Sequence, residues 1–194
     1  MRKLFVVLMA VMMAVSASAN LSFLGAEMSG TLETFNKVVA VRNAGLTYYP
    51  VEGKPNWGSF SGTIFDSPYQ SIVYTIGSPV THTIYQVAIL QLFSSNGLAW
   101  SELKSIYNDF KNQLTKLYGT PNYDEMEFTA PYSEYNHPID AIMAEKVTIA
   151  TTYLSGDGTI SLRMGLAPNS DKIAIEAWFT DYTGYQIDQS EKSK

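Results

Sequence analysis

Polar and apolar positions along this chain repeat with two periods, and the switch between them recurs. From Ala99 to Tyr118, Leu103, Ile106, Tyr107, Phe110, Leu114 and Leu117 return every three or four residues, with Glu102, Lys104, Asn108, Lys111, Asn112 and Lys116 between them. This 3.6-residue period predicts an amphipathic helix. Gly119-Thr120-Pro121 ends it, since Gly suits the left-handed residue after a last turn and Pro cannot continue the helix. Leu32, Phe35, Val38 and Val39 carry the same spacing from Thr31 to Ala44. Thr31 is the expected N-cap and Gly45 the expected stop.

Elsewhere the period falls to two. Gly58–Phe65, Gln70–Ile76 and Thr83–Phe93 form one set of predicted strands, and Lys146–Leu154, Thr159–Met164 and Lys172–Phe179 form a second. Thr83–Phe93 is apolar on both faces, with Tyr85, Val87, Ile89 and Phe93 against Ile84, Ala88, Leu90 and Leu92, which predicts a central strand. Asp66-Ser67-Pro68 and Gly77-Ser78-Pro79 read as turns. Ser155-Gly156-Asp157-Gly158 reads as a tight hairpin in which Asp157-Gly158 supplies the positive φ values. Leu21–Met28 is expected as a short first strand. Tyr48–Trp57, broken by Pro50, Gly53 and Pro55, is expected as a loop. Asn122–Ala144 is expected as irregular chain with a short strand at Glu125–Phe128, and Gln186–Lys194 as a frayed polar tail.

Both halves therefore run helix, aromatic and Pro-containing loop, three strands. The expectation is an α+β domain over residues 20–185, made of two repeats at about 20–95 and 96–185, followed by a flexible tail at 186–194. A single antiparallel sheet of six to eight strands carries both helices on one face. The other face is left curved and partly exposed.

The first nineteen residues change where this domain is expected to work. Arg2-Lys3, the apolar run Leu4–Val15 and the small-x-small triplet Ala17-Ser18-Ala19 have the form of a secretory signal peptide cleaved before Asn20. The apolar run is shorter than the ~20 residues a membrane-crossing helix needs. There is no cysteine, so the expected periplasmic or secreted product has neither a disulfide framework nor the lipidated Cys of a membrane-anchored lipoprotein. Without Arg2 and Lys3, eleven Lys and Arg face 18 Asp and Glu, a net charge of −7. That balance excludes a nucleic-acid role, where clustered cations supply the attraction.

The strand-helix opening Leu21–Phe35 and the helix Leu103–Leu117 with its Tyr118-Gly119-Thr120-Pro121 ending, given in tandem, resemble the β-lactamase-inhibitor-protein-like group. Single-unit versions of that architecture occur in small outer-membrane assembly lipoproteins, and the pattern is also similar to small secreted proteins of Bacteroidetes. The resemblance implies the tandem helix-plus-sheet fold and favours a protein partner from the envelope or the extracellular space. It transfers no functional residue.

Chemistry-bearing motifs are sparse. His82 and His137 have no metal-ligand spacing around them, and no metal or cofactor is expected. Gly58-Ser59-Phe60-Ser61-Gly62 has Phe at the centre where a hydrolase elbow needs Ser, and strand rather than helix follows it. Asp157 fits a hairpin better than a calcium loop, and Asp124, Glu125 and Glu127 form an acidic rim. The distinctive constellation is aromatic: Tyr48, Tyr49 and Trp57 in the first loop, and Tyr132, Glu134, Tyr135 and His137 in the second. If the two loops share one end of the sheet, they form a recognition surface of stiff, amphipathic rings. The same rings also serve simply as core cover. The functional expectation is a non-enzymatic binding module using the open sheet face and these loops. The alternatives are a glycan hydrolase using Glu134, His137 or an acid of Asp124–Glu127, and a structural envelope protein.

Overall fold

The structure is a computed structural model that describes residues 21–192; the signal-type segment lies outside them. Among the described residues the fold is α+β. It has four helices, a two-stranded ribbon and an eight-stranded antiparallel sheet. The ribbon pairs β1 (Ser22–Phe23) with β2 (Ala26–Glu27). The single strand expected over Leu21–Met28 is thus split by a turn, with Leu24 and Gly25 at positive φ.

Helix α1 (Leu32–Arg42) starts where Thr31 Oγ1 accepts from the Thr34 N–H at 3.3 Å. Four strands follow: β3 (Leu46–Pro50), β4 (Trp57–Gly62), β5 (Ser71–Gly77) and β6 (Ile84–Ser94). Helix α2 (Trp100–Tyr118) begins at Ala99, whose N–H is accepted by the Glu102 side chain at 2.8 Å, one half of a capping box. After it come β7 (Tyr123–Phe128), the short helix α3 (Pro138–Met143), β8 (Val147–Ser155), β9 (Gly158–Leu166), β10 (Lys172–Asp181) and α4 (Tyr182–Lys192).

Three expectations are corrected. Tyr48–Pro50 is strand rather than loop, since Pro50 sits at the end of an edge strand, where a missing N–H is tolerated. Tyr182–Lys192 is a helix, so the described part of the tail expected from Gln186 is not frayed, and Gly184 and Asp188 are buried. In the hairpin, Ser155 pairs with Gly158, so the two-residue turn is Gly156-Asp157, and Gly156 carries the positive φ of 56°.

The sheet order is β3-β4-β5-β6-β10-β9-β8-β7. The chain's two groups of four strands therefore meet at β6 and β10, where Ala177 faces Ile89 and Phe179 faces Val87. Alternate residues point into one hydrophobic cluster: Phe60, Val73, Val87, Ile89, Ile160, Leu162, Ile175 and Phe179 from the strands. Leu32, Phe35 and Val39 of α1 and Leu103, Tyr107, Phe110 and Leu114 of α2 belong to the same cluster. No described helix is long and apolar enough to cross a membrane.

Candidate functional site

Strand direction decides which candidate residues can meet. Every neighbouring pair is antiparallel, so the β3–β4 connection and the β7–β8 connection leave opposite ends of the sheet. They also lie at opposite edges, seven strand spacings or roughly 34 Å apart. The two aromatic loops do not form one surface.

The first group is itself divided by register. Tyr48 faces the α1 side, its ring edge-on to Phe60 at 5.2 Å. Tyr49 faces the other side beside Ser59 and is exposed. Trp57 packs edge-on against Tyr74 at 5.9 Å, with Lys54 Nζ 4.2 Å from its ring centre. Tyr48 and Trp57 also line a cleft of about 670 Å³ between α1 and the β3–β4 corner, with Leu32, Asn36, Lys37 and His82 among its walls. His82 stands at a positive φ of 56°, and its carbonyl accepts from the Leu32 N–H at 2.8 Å.

In the second loop a tight turn between Ser133 and Asn136 presents Tyr135, which is 95% exposed. Tyr132 is half-buried. Glu134 is ion-paired with Lys104 of α2, and His137 Nδ1 meets Asp140 Oδ2 at 2.9 Å. The loop is thus tied to α2 and α3, with one ring projecting.

The acidic rim divides by face as well. Asp124 shares the inward parity of β7, while Glu125 and Glu127 point outward. Asp124 Oδ1 accepts from the Thr151 hydroxyl at 2.7 Å, and Lys111 Nζ lies 3.0 Å from Oδ2. Because Thr151 has one hydroxyl proton and gives it to Asp124, Tyr107 is the donor in the 2.7 Å contact between the Tyr107 and Thr151 oxygens. Partial burial pushes the Asp124 carboxyl up, but the Thr151 hydrogen bond and the Lys111 contact outweigh it, and its pKa is lowered. Glu125 is raised because it shares a hydrogen bond with Glu127. A depressed carboxyl stabilises the fold above its ordinary value of 3.8, and that contribution is lost as pH falls through the folded-state value. Asp124→Asn should therefore lower the unfolding free energy, read by urea titration at neutral pH, by under about 1 kcal/mol for so exposed a pair. The difference from wild type should close in acid; a gap that widens there would contradict this assignment.

The sheet positions that alternate with the core form an outer face of uneven character. On β4, β5, β6 and β10 it carries Trp57, Tyr74, Leu90, Leu92 and Trp178, with Tyr49 at the β3 edge. On β9, β8 and β7 the corresponding positions are Ser161, Arg163, Thr148, Thr152, Glu125 and Glu127. Arg163 and Glu176 are directly opposite in register. Helix α4 covers the Tyr85 end of β6: a Cβ on Gly184 would stand 2.7 Å from that of Tyr85, and the Tyr85 and Tyr185 rings are 6.2 Å apart.

No family model, curated protein or solved structure matches this chain. Among the described residues no three His, Cys, Asp or Glu side chains are grouped to hold a metal ion. Two parts of the site were missed in the sequence. One is Asn36, a polar residue within the apolar stripe of α1. The other is the row of outward rings Tyr74 and Trp178, whose period-two pattern was legible but whose face was not.

Proposed function

We propose that this chain is an exported, non-enzymatic binding module that holds a protein partner on the outer face of its sheet. The observation that supports this best is the row of Trp57, Tyr74, Leu90, Leu92 and Trp178 on the side of the strands away from the core cluster. Aromatic and aliphatic groups on a rigid backbone lose little entropy when a partner covers them, which makes them good anchors. The β9–β7 half supplies hydroxyl and charged groups that set orientation. In this reading the fold is a tandem repeat, with α1 and α2 on one face leaving the other open. The signal-type segment at residues 1–19 delivers it to the periplasm or beyond, without a membrane anchor. Tyr49 and Trp57 belong to the binding surface, and Tyr135 adds a contact only to a partner that spans the sheet.

The acids a glycan hydrolase would recruit are already engaged: Glu134 with Lys104, and Asp124 with Lys111 and Thr151. This favours binding over hydrolysis. The test is Leu92→Glu, at an exposed outer-face position opposite Ala174, against Leu117→Glu on exposed α2 surface, using the mature chain from Asn20 to capture partners from native envelope. The first variant should lose a partner that wild type and the second retain, with all three melting alike. Equal capture by all three would remove the sheet face from the account.

A further inference from the structure

The cleft beside α1 has a feature that cavity shape alone does not explain. Asn36 is the polar member of the buried stripe Leu32, Phe35, Asn36 and Val39, and it is 8% exposed. Its Oδ1 accepts from the hydroxyl of fully buried Thr75 at 2.7 Å. That bond fixes the amide and leaves Nδ2 directed elsewhere, and Nδ2 meets no acceptor among the described residues. Room for it is made by Gly58, where a Cβ would stand 2.5 Å from Nδ2 and 2.6 Å from Thr75 Oγ1. Any side chain at position 58 would push the amide aside.

Asn36 lines the cleft of about 670 Å³, within the ~300–1,000 Å³ range of small-molecule sites. Its other walls are largely apolar: Leu32, Ala40, Tyr48, Pro55 and Trp57. Glu33 and Lys37, the carboxylate and ammonium at the rim, neutralise each other at 2.7 Å. Nδ2 is not sealed from solvent, so it offers a free donor on the cleft wall, where a ligand oxygen can take the place of water.

We propose that this cleft binds a small neutral molecule with a ring-sized apolar body and a carbonyl-type oxygen, the oxygen accepting from Asn36 Nδ2. Tyr48 and Leu32 contact the apolar body, and charged ligands are disfavoured because the rim charges are already matched. The site shares Trp57 with the outer sheet face but does not rest on the reading given for that face.

Benzamide is a suitable probe, having a ring and one carbonyl; benzamidine, with the same ring but only donors, is the mismatch. The readout is the ¹⁵N-correlated signal of the Asn36 side-chain amide during titration at neutral pH. Benzamide should shift that signal saturably, and benzamidine should not. Asn36→Asp keeps an oxygen for Thr75 and replaces the donor with an acceptor, so benzamide affinity should fall at least tenfold while benzamidine affinity rises. Tyr48→Ala, a change at a half-exposed wall, should weaken benzamide independently if Asn36→Asp does not fold. An Asn36 signal unmoved at saturating benzamide, or equal benzamide affinity in the Asp variant, would overturn the proposal.

Discussion

Phe179→Ala is expected to destabilise the protein by about 3–5 kcal/mol, the range for emptying a well-packed aromatic site in a core. Phe179 has no exposed surface and lies on β10 between Val87 of β6 and Ile160 of β9. Its ring is edge-on to Phe23 at 5.3 Å and to Tyr118 at 5.9 Å, so one side chain joins the β1–β2 ribbon, the end of α2 and the centre of the sheet. Tyr118 in turn donates to the Ser22 carbonyl at 2.6 Å, and burial pushes its phenol up to about 12. Removing the Phe179 ring leaves a cavity where all three meet. The measurement is the urea midpoint at constant m-value; a loss below about 1 kcal/mol would show that this junction relaxes freely.

The second large effect is expected at Gly62. A Cβ there would lie 1.9 Å from the Gly45 carbonyl oxygen and 3.2 Å from the Leu46 Cα, both backbone atoms at the start of β3. Side chains can rotate away from a clash; backbone held in a sheet cannot do so without breaking its pairing. Gly62→Val should cost ~1–3 kcal/mol, toward the upper end for an overpacked site, and should detach β3, which carries Tyr48 and Tyr49. Amide hydrogen exchange of residues 46–50 should then rise far more than that of β6 and β10. Uniform exchange across the sheet would contradict a local effect.

How much of this was legible in the sequence depends on how local its cause is. Helix α2 runs over nearly the expected residues because its stripe, its Glu102 cap and its Gly119 stop all act within a few positions. Strands β5, β6, β8, β9 and β10 also follow their period-two patterns closely. Strand β3 was hidden because Pro50, Gly53 and Pro55 read as breakers, whereas on an edge strand Pro50 breaks no ladder bond that the sheet needs. The Gly156-Asp157 turn was displaced by one residue, since Gly158 also offers a glycine; its role is instead to let β9 approach the Thr180 carbonyl, 2.4 Å from where a Cβ would lie.

The candidate site was read less well, for a physical reason. Tyr48 and Trp57 were identified, but whether they share a surface with Tyr132, Glu134, Tyr135 and His137 depends on strand order and direction, which no window of sequence encodes. Asn36 did carry a local signal: a lone amide at the i+4 position from Leu32 on a buried stripe needs a partner, and Thr75 is that partner for only one of its two polar atoms.

Photo-cross-linking of the mature chain in native envelope, with the photoreactive residue placed at Leu90 or at Leu117, distinguishes a partner on the outer sheet face from one elsewhere. A discrete cross-linked partner is expected from position 90, on the outer face, and none from position 117, on exposed α2 surface. Cross-links from 117 alone, or from neither position, would contradict binding at the outer face.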